Sequence, residues 1–200
     1  MEIVSNGVDL RRFASLRRAR SLGRGRYRLA GVVVFAVGLV LLRKGVDVFC
    51  EVARRFPELT FVWFGRIHRA VKPETLRVIE EAPPNVRFPG YVENVTEAYA
   101  AGDVFLFPSA VENEGIAVLE AAAAGQPLVL RDAECFAGRF VDNVNCLMAA
   151  DPDGLSERLA RLVGSPELRA HLGAQARRFA EAHSIEVVGR RLRDLYARVI

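Results

Sequence analysis

Residues 108–132 read PSAVENEGIAVLEAAAAGQPLVLRD, and the residue types follow one another as they do in a βαβ unit. A polar turn, Glu112-Asn113-Glu114-Gly115, leads into a helix expected from about Ile116 through four alanines, with Gly125 as its stop. After Pro127, Leu128-Val129-Leu130 reads as a short buried strand, and the apolar run Val104 to Phe107 supplies the strand before the turn.

The junction of loop and helix in such a unit suits an anion. The first N–H groups of a helix have no internal partner, and the helix dipole makes that end positive. Gly115, lacking a Cβ, lets the backbone come close to a ligand. Two acids flank this end: Glu112 in the loop and Glu120 in the second turn of the helix. A carboxylate has two acceptor oxygens and matches the two adjacent O–H donors of a vicinal diol. A phosphate-binding helix end beside a diol-binding acid describes a nucleotide-sugar site.

Outward from this unit the pattern alternates. Strands are expected at Val32–Val37, Phe61–Phe64, Val86–Phe88 and Asn145–Met148, with helices at Gly45–Phe56, Pro73–Glu81, Asn94–Ala101 and, briefly, Cys135–Phe140. Strands separated by helices make an α/β, doubly wound, Rossmann-like parallel sheet flanked by helices. A helical C-terminal tail follows over Pro152–Val163, Pro166–His183 and Ile185–Val199. Residues 1–28 are expected as a linker, 29–150 as the nucleotide-sugar-binding domain, and 151–200 as helices packed on it. The arginine-rich stretch Arg11 to Arg28 shows little hydrophobic periodicity and reads as an irregular or partly helical surface segment.

Composition narrows the class. The 200 residues are 51% hydrophobic and 26% charged, enough apolar surface for a substantial core. The net charge of +4 comes almost entirely from arginine, since only Lys44 and Lys72 are lysines. Aromatic residues are not interleaved with basic ones, so no nucleic-acid partner is expected. Cys50, Cys135 and Cys146 are widely spaced among apolar residues and read as free core thiols of a reducing compartment. Neither they nor His68, His171 and His183 have metal-ligand spacing. Leu29 to Leu42 is an uncharged run of fourteen residues. A membrane span needs about 20, so this run reads as a buried parallel strand. MEIVSNGVDL lacks the apolar core of a secretory leader, which leads to an expectation of a cytoplasmic protein.

Glu112-x7-Glu120, followed by Ala121 and Gly125-Gln126-Pro127, resembles the E-x7-E signature of retaining glycosyltransferases of the GT-B fold, in particular family four, the glycosyl transferases group 1. The longer string P-S-x-x-E-x-x-G-x-x-x-L-E-A-x-A-x-G-x-P carries the resemblance, because glutamates at that spacing alone occur in many helices. E-N-E-G-I-x-V-L-E, with Arg131-Asp132 and D-x-V-N-C after it, is most similar to the branch that glucosylates diacylglycerol lipids. The resemblance implies that Glu120 holds the ribose hydroxyls, and that Glu112 and the following backbone (Asn113, Glu114, Gly115, Ile116) hold the sugar and the diphosphate.

Further positions follow from the same resemblance. The loop after the first strand, Gly38 to Gly45, usually reads G-R-x(n)-K-G, with both basic residues on the pyrophosphate. Here Lys44-Gly45 fits, Leu39 stands where the first basic residue is usual, and Arg43 is a substitute to be tested. Gly65-Arg66 matches a glycine turn near the nucleotide. Phe88, Gly90 and Val92 match an F-x-G-x-V segment bordering the base. Asn6-Gly7-Val8-Asp9 with Phe13 matches a segment just after the strand that links two domains, which sets Met1 near a hinge. Asp103 is expected to fix the start of a strand, and Arg131 and Asp132 either to reach the site or to pair on the surface.

Taken together, Glu112, Lys44 and Arg43 are expected as catalytic residues. Glu120, Asn113, Glu114, Gly115, Ile116, Gly65, Arg66, Val92 and Gly38 are expected as donor-binding residues. The donor would be a UDP- or GDP-linked sugar, with no metal and no other cofactor required. The acceptor would sit on an N-terminal domain outside this chain, and a lipid acceptor would bring the full-length protein to the inner face of the membrane. Two other classes compete. A Rossmann oxidoreductase would need G-x-G-x-x-G after the first strand, and Gly38 and Gly45 are too far apart. A nucleotide-sugar epimerase-like domain, or a non-catalytic domain that binds the nucleotide sugar, would keep the fold. Leu39 favours the latter, while Glu112, Glu120 and Lys44 speak against it.

Overall fold

The computed structural model describes residues 4–68 and 72–199; Met1, set near a hinge by the resemblance, lies outside them. Six strands form one parallel sheet: β1 (Val33–Val37), β2 (Thr60–Phe64), β3 (Val86–Gly90), β4 (Val104–Phe107), β5 (Leu128–Arg131) and β6 (Leu147–Ala149). Their order is β3-β2-β1-β4-β5-β6, that of a doubly wound sheet. The strand order reverses between β1 and β4, and ligands of such sheets bind beyond the carboxyl ends of the strands at that point.

Helices cover both faces: α1 (Leu16–Tyr27), α2 (Val46–Arg54), α3 (Pro73–Glu80), α4 (Val95–Ala101), α5 (Ile116–Ala123), α6 (Pro152–Gly164), α7 (Pro166–Ala182) and α8 (Ile185–Val199). The alternation along β1 divides the core in two. Val33 and Phe35 pack with residues of α4, α5 and α7, whereas Val34 and Ala36 pack with residues of α2 and α6. Every residue of β4 is buried, as a strand with helices on both faces requires.

Sequence and structure differ most before β1. The stretch expected to be irregular or partly helical is a 3-10 turn (Leu10–Phe13) followed by the twelve-residue helix α1. Hydrophobic periodicity misses this helix because it docks through small residues and arginines. Ala19 and Gly23 are buried, and a Cβ on Gly23 would lie 2.7 Å from the Glu97 carbonyl of α4. Arg20 donates to the carbonyls of Ala100 (3.0 Å) and Gly102 (2.8 Å), and Arg24 to that of Ala101 (3.1 Å). Both also pair with Asp103, whose carboxylate accepts the Val33 N–H at 2.7 Å and so fixes the start of β1, as expected.

Smaller corrections follow. The helix expected at Cys135–Phe140 is only a 3-10 turn, Glu134–Phe136. Arginines of the tail tie elements together. Arg169 donates to the carbonyls of Leu162 (2.6 Å) and Val163 (2.9 Å) at the end of α6, and Arg177 to the Ala123 carbonyl at the end of α5. Arg131 turns to the Ala150 carbonyl at 3.2 Å, and the Asp132 N–H bonds the Ala149 carbonyl, so this pair serves the β6 edge.

Candidate functional site

Two cavities open along the carboxyl ends of the strands. The first, about 490 Å³, lies beyond β1, β2 and β3 and is lined by Gly38, Leu39, Gly65, Arg66, Tyr91 and Val92, among others. The second, about 470 Å³, lies beyond β4 at the start of α5 and includes Arg43, Lys44, Glu112 and the 113–116 backbone in its walls.

The first cavity is built by glycines that let three strand ends converge. A Cβ on Gly65 would stand 1.7 Å from the Gly38 carbonyl, so no side chain fits there. That carbonyl accepts the Trp63 indole N–H at 2.9 Å, the Gly38 N–H bonds Phe64 O at 3.0 Å, and the Gly65 N–H bonds Gly90 O at 2.9 Å. At the rim the Arg66 guanidinium lies 5.3 Å from the centre of the Tyr91 ring. Leu39 is exposed on this wall. The expected residues Gly38, Gly65, Arg66 and Val92 therefore meet here, and Tyr91 and Leu39 join them.

The second cavity gathers Arg43, Lys44, Glu112, Asn113, Glu114, Gly115 and Ile116, which were singled out in the sequence. Arg43 and Lys44 lie on a 3-10 turn ending at Gly45 (φ 81°). A Cβ on Gly45 would approach the Pro108 carbonyl to 2.5 Å, so this glycine lets the basic turn press against the loop after β4. Lys44 forms an ion pair with Glu112 Oε1, which also accepts from the Ser109 hydroxyl at 3.0 Å. Ser109 lies between the two loops, within 3.1 Å of the Arg43 carbonyl. The Arg43 guanidinium is exposed, with no hydrogen bond or ion pair of its own among the described residues.

Gly115 caps α5 in the left-handed conformation (φ 71°) and brings no side chain to the helix end. Its carbonyl takes the N–H groups of Val118 and Leu119. The N–H groups of Ile116 and Ala117, one turn too early for intrahelical partners, point out of the helix end that forms the cavity wall. Glu114 is already engaged: Ser5 and Asn6 donate to its carboxylate, and Arg139 lies 3.6 Å away. Burial pushes its pKa up, but the bonds from Ser5 and Asn6 and the Arg139 charge outweigh this and hold it below the usual carboxylate value. Glu114 thus ties the N-terminal segment to the cavity wall.

Glu120 lines neither cavity wall directly. It projects from α5 between Arg12, which pairs with Oε1 at 3.4 Å, and Tyr99, whose hydroxyl donates to Oε2 at 2.9 Å. Arg12 also lines the first cavity, which sets Glu120 beside it. Arg12 and Tyr99 went unnoticed in the sequence, where Ser109 stood only as part of the longer motif. Arg12 and Tyr99 come from two separate segments and carry no fixed spacing to the glutamates. The segment Asn6-Gly7-Val8 is clamped by the tail: Val8 N–H bonds His183 O and Ile185 N–H bonds Val8 O, both at 3.0 Å. Cys135, expected in the core, is only half-buried and lies within electrostatic reach of Glu112 and Lys44.

Residues 29–179 match the family described as glycosyl transferases group 1. The chain is 31% identical over 202 residues to a processive diacylglycerol alpha-glucosyltransferase of Acholeplasma laidlawii, covering 98% of this chain and 60% of that protein. It is 29% identical over 165 residues to an alpha-galactosylglucosyldiacylglycerol synthase of Streptococcus pneumoniae, covering 78% of this chain and 44% of that protein. In fold it resembles the crystal structure of Anabaena Alr3699/HepE in complex with UDP-glucose, with a TM-score of 0.90 at 16% identity, covering 98% of this chain and 57% of that one. The chain thus spans about half the length of these proteins.

Proposed function

The chain belongs to the glycosyl transferases group 1, and from that premise we propose that it is the donor-binding half of a retaining glycosyltransferase. It holds a UDP- or GDP-linked sugar for transfer to a lipid or glycan acceptor. The observation that carries this reading is the convergence of Lys44, Arg43, Glu112 and the open N-terminus of α5 on one cavity, with Glu120 beside the neighbouring one.

The donor lies across both cavities. The base occupies the glycine-built cavity beyond β1–β3, where the backbone near Val92 borders it and Arg66 stacked on Tyr91 closes the rim. The ribose diol binds Glu120. The diphosphate sits on the Ile116 and Ala117 N–H groups and on Lys44. That lysine is paired with Glu112 in this structure, so an incoming phosphate shares or takes over a cation that never goes unpaired. Arg43, exposed on the same turn, supplies the positive charge that Leu39 lacks. Glu112, freed toward the cavity, orients the sugar ring.

As the glycosidic bond breaks, negative charge grows on the leaving diphosphate, where the helix end and Lys44 are aimed. Those fixed positive groups supply the stabilisation a divalent ion would otherwise give, and the reading includes turnover without added metal. No residue here is placed as an evident covalent nucleophile, and Glu112 is assigned to orientation.

The acceptor side is supplied by a further domain of a longer protein, a reading supported by the fraction of its relatives that this chain spans. Both relatives are named for diacylglycerol lipids, which supports a lipid acceptor and a peripheral station at the cytoplasmic face of a membrane. No helix among the described residues is long and apolar enough to cross one. Two assays test the reading. Lys44→Ala should weaken a nucleoside-diphosphate sugar about thirtyfold, the loss of one charge-assisted contact of about 2 kcal/mol. The isolated 200 residues should transfer little sugar to a lipid acceptor. Rapid turnover by this chain alone would refute the division of labour.

A further inference from the structure

The two oxygens of Glu120 are held in different ways. Oε2 accepts from the Tyr99 hydroxyl at 2.9 Å, whereas Oε1 faces the exposed Arg12 guanidinium at 3.4 Å. Resting on the reading of Glu120 as the ribose carboxylate, we propose that Tyr99 is a positioning residue whose hydroxyl fixes the rotamer of Glu120 and so sharpens the recognition of the ribose diol.

Glu120 needs such a partner. A glutamate on a partly exposed helix face has several free torsions, and ordering it during binding would cost conformational entropy. Arg12 cannot supply the order, being half-exposed itself and at the far limit of hydrogen-bond distance. Tyr99 can, because it is packed into the core. Its ring is fully buried in edge or tilted contact with Phe13 (5.7 Å), Phe35 (6.0 Å) and Phe105 (6.0 Å). Its carbonyl accepts the side-chain amide of the buried Gln126 at 2.7 Å, which fixes the backbone of α4 beneath the ring.

The hydroxyl has one proton and two acceptors in reach, Glu120 Oε2 and the Ala117 carbonyl at 3.2 Å. The shorter, charged acceptor is the stronger one. Burial, and after it the charge of Glu120, raises this phenol well above its ordinary range, so it remains a donor throughout physiological pH. A carboxylate has about four lone-pair sites. Tyr99 takes one of those on Oε2, and the remainder can receive the two hydroxyls of a diol. The competing account is that Tyr99 is a core aromatic whose hydroxyl is merely satisfied. That account predicts an effect on stability but none on selectivity for ribose.

The experiment titrates UDP, GDP and ADP calorimetrically into this chain, and then the 2′,3′-dideoxy form of whichever binds most tightly. It is repeated with Tyr99→Phe, Glu120→Gln and the double variant, with thermal unfolding of each as a check on folding; Tyr99→Phe keeps the ring and removes only the hydroxyl. The wild type should prefer the parent nucleotide to its dideoxy form by about tenfold or more, the worth of hydrogen bonds to a charged group. Tyr99→Phe should weaken the parent severalfold and leave the dideoxy form unchanged. Added to Glu120→Gln, it should cause no further loss, as expected of two groups acting as one. Equal weakening of both nucleotides by Tyr99→Phe, or no weakening, would overturn the inference and leave Glu120 as the ribose ligand. A wild type that fails to distinguish the two nucleotides would overturn the ribose reading itself, and this inference with it.

Discussion

Gly115 sets the geometry of the helix end on which the phosphate reading depends. Its φ of 71° is left-handed, and a Cβ there would meet the Phe136 ring at 2.7 Å. Gly115→Ala should therefore lower stability by about 1–3 kcal/mol from backbone strain and weaken nucleotide binding by tilting the first N–H groups. Urea denaturation and calorimetry read the two effects separately. Glu114, next to it, makes a different prediction. Its carboxyl is held below the ordinary 4.5, so its contribution to stability is complete above that pH and is lost as the pH falls through the lower folded value. Glu114→Gln should reduce the acid sensitivity of unfolding below about pH 4.5 and weaken the hold on Ser5 and Asn6. An unchanged pH profile would contradict this. At this scale the sequence was informative where the candidate site is built from short motifs: it singled out Glu112, Gly115 and Glu120 in one and Lys44 in the loop after β1, and the structure brings Lys44, Glu112 and Gly115 to one cavity. Tyr99 and Arg12, the supports of Glu120, were not legible, because hydrogen-bond partners from distant segments obey no spacing rule.

The elements that depend on hydrophobic alternation were readable for the same physical reason. β1, β2, β4 and β5 each carry an apolar run bounded by glycine, proline or polar residues, since both faces of the sheet are covered there, whereas the edge strand β3 is only partly buried. Helix α1 was legible only as an irregular or partly helical segment, because its docking relies on Ala19, Gly23 and arginine-to-carbonyl bonds instead of an apolar stripe. Asp103 is the joint of that assembly, holding Arg20, Arg24 and the Val33 N–H at once. Asp103→Ala would strand two guanidinium groups and a backbone donor at the start of β1. A loss of about 2 kcal/mol or more is expected in denaturant unfolding, well beyond that of an exposed ion pair. A change within about 0.5 kcal/mol would mean that α1 docks without it.

For the whole molecule, two hydrophobic layers around one sheet also fix the chemistry of its thiols. Burial pushes Cys50 to about 11 and Cys146 to about 12, while Cys135 sits half-buried beside Glu112 and Lys44. In native protein at pH 8, iodoacetamide followed by mass spectrometry should therefore modify Cys135 well before the other two. In denaturant all three should react alike. Faster labelling of Cys50 or Cys146 in the native state would show that the layers open more readily than their packing implies.

The central claim is that the carboxyl ends of this sheet bind a nucleoside-diphosphate sugar through Glu120, Lys44 and the start of α5. Calorimetric titration with UDP, GDP, ADP and their glucose or mannose conjugates tests it most directly. Saturable binding of one base series is predicted, weakened by both Glu120→Ala and Lys44→Ala in variants that unfold like the wild type. Binding that neither substitution affects, or no binding of any nucleotide to the folded chain, would contradict the account.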